Sequence, residues 1–576
     1  MQLEVFQNCK LFDPYTDEIH QNVRFSVLHS DTNRYEDGRI IDLFVDNEEE
    51  KYSGTVTHTH DLNGRLIIPA FIDSHMHCES TLLLPSRTTI LARHGTAVCI
   101  ADPHEVTNVL GKDGFDLFLE DSENAIVDFR FTIPSCVPAT PFETCGGCVD
   151  SQVVKEIFEK DEENSRKEQQ NCRFFGNTKR VAGLGEVMNV VGTLDSNFDH
   201  LQNILKETRA AKGHIDGHAP AVSVSDLNRY IGAGVMTDHE CTTAAELGDR
   251  LRRGMHVLIR EGTAGKNGPA LCDALKHFPR QATNRCAFCT DDRRIDDIVE
   301  EGHLDNAVRV GIKHGLDPRD AVRMATLNPA EFFNLQMDYG AISPGRIASF
   351  CVLKNELSDL EIETVYIKGR EVEDPTPKPL TSHKLNVMNV SIEDVKKQLE
   401  SAKFEGPAIG VIPNQIVTTS QEPNQNSLKM IVVDRYSGKS ETGHCLINGI
   451  ELHQNAAIAS TVAHDSHNIV CVGNTNDAII RAIQAMVKSG GGYAVVHNEK
   501  VTVLPLPIAG LMTDQKVEVL LKELKDFREN LLDAGATDKY DVMMTLSFMC
   551  LPVIPKLKLT NKGLFDAETF QFVHSQ

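Results

Sequence analysis

The chain lacks a surplus of basic charge. Against 58 lysines and arginines stand 82 aspartates and glutamates, a formal net charge of -24. Nucleic acids and anionic membranes both reward clustered Lys and Arg, so neither is expected as a main partner. A small neutral substrate is compatible with this balance. Also missing is any apolar run of membrane-spanning length, and the start, MQLEVFQNCKLFD, has neither the basic head nor the uninterrupted apolar core of a secretory signal. A soluble, cytoplasmic protein is expected. The cysteines show no dense even framework, since fifteen are spread over 576 residues, and reduced thiols follow. Cys145/Cys148 and Cys286/Cys289 form two Cys-x-x-Cys pairs. They could build a zinc site only if the fold brought such distant segments together.

What is present is enough apolar material to fold, with 41% hydrophobic and 24% charged residues. A chain of this length exceeds a single core, so a large domain plus one or two smaller ones is expected. Residues 1–68 carry short apolar stretches between polar turns (VRFSVL, RIIDLFV, GRLIIP), the pattern of a small β-domain. From Pro69 to about 339, strand-like runs ending in polar or histidine-bearing residues alternate with helical patterns, which predicts repeated β-α units, a parallel sheet and a barrel. RIDDIVEEGHLDNAVRVGIKHG reads as one long helix stopped at Gly315, with DPRDAVRMATLNPAEFF completing a helical pair. Strand character returns at 340–372, so the early β-domain is expected to be completed by chain from both sides of the barrel. A Pro- and Thr-rich linker is expected at about 373–383, and a second α/β-like domain over 384–576. The charged stretch 159–171 reads as part of a solvated insertion spanning 143–180.

The strongest chemical signal is IIPAFIDSHMHCES. Its strand delivers His75 and His77 two positions apart, so both imidazoles face one side, as one metal ion requires. Further donors follow other strand-like runs: Glu186 in VAGLGEVMN, His218 in GHIDGHAP, His239 in AGVMTDHEC and Asp291 in CAFCTDD. Four imidazoles with two carboxylates, one able to bridge, form a ligand set for a pair of divalent ions at the carboxyl end of a barrel. His214 competes with His218 on spacing alone, and Asp292 with Asp291. The loop ADPHEVTN offers His104 and Glu105 for hydrogen bonding to a substrate ring, although an Asp102-Pro103 turn with solvated neighbours would read the same. His464, Asp465, His467 and Asn468 in AHDSHNIVCVG could close over a site, bind another cation or form a polar turn.

With these pieces in order, the chain resembles the bacterial-type adenine deaminase family of the amidohydrolase superfamily. FIDSHMHCES, HGTAVCIADPHEVTNVLG, GLGEVMN, DLNRYIGAGVMTDHECT, REGTAGKN, MATLNPAE and, late in the chain, HDSHN, GGGYAVV and LPLPIAGLM recur in family order. The resemblance implies a distorted TIM (β/α)8 barrel with a composite β-sandwich domain and an additional C-terminal α/β domain. It implies two divalent metal ions, Mn2+ first with Fe2+ or Zn2+ as alternatives, held by His75, His77, Glu186, His218, His239 and Asp291. The activity implied is hydrolysis of adenine to hypoxanthine and ammonia in purine salvage, by a metal-bridged hydroxide. Asp291, Glu186, His104 and Glu105 are its catalytic candidates, and a homodimer its assembly. Departures from the family pattern are PAF for PGF, Cys78 for an aliphatic residue and the longer insertion, none of which removes a ligand.

Two relatives are set aside on the same residues. Dihydroorotase-like and hydantoinase-like enzymes bridge their metals with a carboxylated lysine, where this chain offers Glu186. The compact cytidine-deaminase signature, H-x-E…P-C-x-x-C, has no counterpart here. Another amidohydrolase acting on a different purine or cyclic amidine or amide remains the alternative activity. A scaffold that keeps the fold without metals remains the alternative from another class.

Overall fold

The computed structural model describes residues 2–30, 35–46, 48–170, 172–174, 176–194, 199–263, 265–373, 385–413 and 415–573. Nearly all of the expected linker falls outside them. Among the described residues, no helix is long and apolar enough to cross a membrane.

Eight short strands carry the site: β1 (Phe71–Met76), β2 (Thr96–Ala101), β3 (Asp128–Ile133), β4 (Val181–Val187), β5 (His214–Gly217), β6 (Thr237–Asp238), β7 (His256–Arg260) and β8 (Cys286–Cys289). The first five form one parallel sheet and the last three another. Backbone bonds join the two at both seams. The Met236 amide donates to Ile215 O at 3.0 Å, and the Asp291 amide to His75 O at 3.0 Å. β1 and β2 are buried at every position, which suits the apolar run of β2, whereas β1 buries Asp73, Ser74 and His75 as well. The result is a distorted, TIM-like arrangement with helices around it.

Two local expectations change. The charged stretch 159–171 is largely the second half of a helix, Ser151–Gln169, that connects β3 to β4 and buries Val154 and Ile157. Most of its polar residues are solvated, with Asp161 and Ser165 buried, and the segment is a regular crossover. Sequence counting missed it because only a narrow apolar stripe is needed on a helix lying over a sheet. The long helix after β8 is two, Ile295–Glu301 and Leu304–Lys313, separated at Gly302, whose φ of 107° few other residues adopt. All fifteen cysteines are free, and the two Cys-x-x-Cys pairs do not meet in a metal-competent group among the described residues.

Residues before and after the barrel share one eight-stranded sheet. Leu66–Pro69 pairs with Phe350–Leu353, which pairs with Ile362–Ile367. The expected sandwich is thus a single hydrogen-bonded sheet, packed around Phe6, Phe25 and Phe350. The C-terminal region holds another eight-stranded sheet that is chiefly antiparallel, with helices in two layers. One helix, Asn476–Ser489, packs with Ile431 and Ala459; another, Val517–Asp533, packs with Met430 and Ile458. Leu82, Leu83 and Ile295 from the barrel join that second core, and the Thr513 amide donates to Leu82 O at 2.9 Å. The C-terminal domain is therefore fastened to the barrel beside the ends of β1 and β8.

Candidate metal centre

The carboxyl ends of the strands bring His75, His77, Glu186, His218, His239 and Asp291 together. Five of the six are buried, and His218 is partly buried. The Nε2 atoms of His75 and His77 are 3.2 Å apart. Asp291 Oδ1 lies 3.4 Å from the first and 3.1 Å from the second. Asp291 sits just past β8 with φ of 54°, a conformation costly for a residue with a Cβ, and its backbone bridges to β1.

Glu186 stands in the middle with its two oxygens facing different partners. Oε1 is 3.6 Å from His77 Nε2 and 3.3 Å from His104 Nδ1. Oε2 is 2.8 Å from His218 Nδ1 and 3.1 Å from His239 Nε2. The Glu186 amide donates to Asp102 Oδ2 at 2.9 Å, and Gly185 allows that approach, since a Cβ there would lie 2.1 Å from the same oxygen. Asp102 therefore does not cap a helix with its side chain. His104 and Glu105 are buried rather than solvated.

Four neighbours were not singled out from sequence. Asp216 Oδ2 is 2.7 Å from His75 Nδ1, so it orients that ring and leaves Nε2 for the centre. Glu240, directly after His239, pairs with Arg260, whose Nη1 also donates to Asp291 Oδ2 at 2.9 Å. The Asp102 carbonyl receives His77 Nδ1 at 3.0 Å. No spacing rule would have found Asp216 or Arg260, because each acts through contact with a strand remote in sequence. His214 lies at the opposite end of β5, near Asn334, Phe332 and Phe333, away from the cluster. Asp292 also lines the cavity over the cluster, where it accepts a hydrogen bond from Ser80 Oγ and makes no contact with the six donors like that of Asp291.

The local field favours positive charge. Burial would lower the pKa of His75, yet Asp216 and Asp291 lift it to about 10. His218 rises to about 9 against the same burial, through Glu240 and Glu186. The donors group as His75, His77 and Glu186 on one side and Glu186, His218 and His239 on the other. Neither buried ring nitrogen of His239 makes a well-aligned hydrogen bond, even with Glu186 Oε2 at 3.1 Å from Nε2, which suits a ligand more than a structural histidine. Imidazoles with carboxylates suit a divalent ion of the first transition row.

A cavity of about 400 Å³ opens over this cluster. The barrel lines it with His77, His104, Glu186 and Asp291, while Ile416, Phe548 and Leu551 of the C-terminal domain add an apolar wall.

Residues 66–372 match the model of the amidohydrolase family, and 411–571 that of the adenine deaminase C-terminal domain. Curated relatives agree. An adenine deaminase of Desulfatibacillum aliphaticivorans is 38% identical over 545 residues, covering 89% of this chain and 90% of its own. Those of Bacillus pumilus and Methanoregula boonei are 36% and 37% identical, covering 90% and 89% of this chain and 89% and 88% of theirs.

Proposed function

The chain belongs to the adenine deaminase family of the amidohydrolases, and from that premise we propose that it hydrolyses adenine to hypoxanthine and ammonia in purine salvage. It is a hydrolase acting on the carbon–nitrogen bond of a cyclic amidine. The observation that carries the site assignment is Glu186, with one oxygen toward His77 and the other toward His218 and His239. Such a carboxylate suits two cations, so we assign His75, His77 and Asp291 to one ion, His218 and His239 to the other, and Glu186 to both. Manganese is the first choice by resemblance, with iron or zinc as alternatives. When bound, the pair would supply the Lewis acidity that lets water ionise near neutral pH.

The side chains do the rest. Asp291 accepts the proton of the attacking water and passes it to the departing amino nitrogen, because ammonia leaves far more readily than amide ion. Arg260 fixes that carboxylate through Oδ2 and leaves Oδ1 toward the reacting centre. His104 turns Nδ1 toward Glu186 and Nε2 toward Glu105, at 3.3 and 3.2 Å. A proton on Nδ1 can be donated to a purine ring nitrogen, drawing electrons from C6. Ile416, Phe548 and Leu551 cover the purine face and exclude bulk water.

The same reading divides the chain into a composite β-domain (1–68 with 340–372), a (β/α)8 barrel (69–339) and a C-terminal domain (384–576). The sheet pairings support these divisions. Acidic charge and free cysteines support a cytoplasmic setting; resemblance alone supports a homodimer. The test is direct. Protein stripped of metal and reloaded with Mn2+ should release ammonia from adenine while the ultraviolet spectrum moves to that of hypoxanthine. No release with manganese, iron or zinc would sink the assignment.

A further inference from the structure

A second group of donors lies where the barrel meets the C-terminal domain. His104 and Glu105 begin the helix His104–Leu110 after β2, while His464 and Asp465 lie in the turn between the C-terminal strands Ala456–Ser460 and Ile469–Gly473. One ligand atom from each falls within 4.8 Å of the others, and all four residues are buried. His104 Nε2 is 3.2 Å from Glu105 Oε1 and 3.8 Å from Asp465 Oδ1; His464 Nδ1 is 2.5 Å from Glu105 Oε1.

These atoms converge on a point more than they bond to one another. Despite its close neighbours, Glu105 Oε1 is buried with no hydrogen bond of acceptable geometry, and so is Asp465 Oδ2. The other Glu105 oxygen is occupied. His467 Nδ1 accepts from the Ala463 amide at 3.1 Å, so its proton sits on Nε2 and is donated to Glu105 Oε2. His464 is stacked on Phe548, ring centroids 4.5 Å apart, and its amide donates to Ser547 O at 2.9 Å. Both outer contacts hold donors in place, as the surroundings of metal ligands do.

We propose that a third divalent cation binds here, held by His104 Nε2, Glu105 Oε1, His464 Nδ1 and Asp465 Oδ1. Two imidazoles and two carboxylates neutralise a dication and suit zinc or manganese. Four protein ligands leave no open position in a tetrahedral site, so the ion is structural and ties the C-terminal domain to the barrel. Resting on the reading of His104 given above, it also has a chemical consequence. A cation on Nε2 obliges the proton to stay on Nδ1, the nitrogen that faces Glu186 and the substrate.

Metal analysis of the full chain tests this without reference to activity. Chelator-stripped protein reloaded with Mn2+, and separately with Zn2+, should hold three equivalents. H464N and D465N should each hold two, whereas E186Q should lose metal from the barrel and keep the ion between the domains. Anomalous diffraction from metal-loaded wild-type crystals guards against variants that misfold, and a peak at about 2.0–2.3 Å from the four named atoms is expected. Two barrel peaks and none between the domains would overturn the proposal, as would H464N and D465N retaining full wild-type metal content. Failure of the barrel assignment reads differently: the peak between the domains would then stand alone.

Discussion

The barrel cluster and the cluster between the domains use the same residue types and are built in opposite ways. In the barrel, each donor follows its own strand, and the parallel fold gathers strand ends at one rim. Between the domains, two donors from one helix meet two from a turn some 360 positions later, and only domain docking joins them. A cluster of the first kind survives small domain shifts. One of the second kind reports them.

The largest effect that could break this contrast comes from Glu186. Because each of its oxygens faces a different set of histidines, E186Q should disturb both halves of the barrel cluster at once. We expect kcat/KM to fall by about 10^3-fold, the scale of losing a principal electrostatic group, with metal content at the barrel reduced to one equivalent or less. Steady-state assays beside metal analysis check this. Full activity with unchanged metal would remove Glu186 from the centre and erase the distinction drawn above.

A smaller effect is expected one contact further out. Asp216 holds His75 Nδ1 at 2.7 Å, so D216N should weaken metal affinity at the barrel by about 10–100-fold, as losses of such partners do. Titration with a chelating competitor would measure it, and activity should return at high Mn2+. Loss that manganese does not restore would mean that Asp216 serves folding and leaves the ring free.

This gradient follows what could be read in advance. His75, His77, Glu186, His218, His239 and Asp291 each stand at or just past a strand-like run, so the pattern that makes the strand also announces the donor. Asp216 stands within β5, Arg260 ends β7 and Glu240 follows His239, yet none announces itself, because their meaning lies in which side chain from another strand they touch. The helix Ser151–Gln169 was obscured by its many charges, which a helix can carry on three sides while burying a fourth. His104, Glu105, His464 and Asp465 were all visible as polar residues near strands. Their convergence was not, since no local period links positions so far apart.

The smallest effect tests the apolar wall. Lys558 is buried, and its Nζ donates to Ile416 O and Phe548 O, both at 2.8 Å, clipping together two segments that wall the cavity. Burial drives its pKa down to about 7, well below the ~10.4 of an exposed lysine. Between those values the unfolded chain binds the extra proton, so Lys558 makes stability rise with pH from roughly 7 to 10. K558M should lose that slope, and the urea midpoints of wild type and variant should differ in opposite senses at pH 7 and pH 9. At pH 7 the variant is relieved of a buried, partly charged amine; at pH 9 the wild type keeps two hydrogen bonds that the variant lacks. KM for adenine should rise only a few-fold, because the barrel donors stay in place while the apolar wall loosens. Parallel stability profiles would show that the amine keeps its proton throughout, and a collapse of kcat would mean that this wall positions the reacting groups as well as covering them.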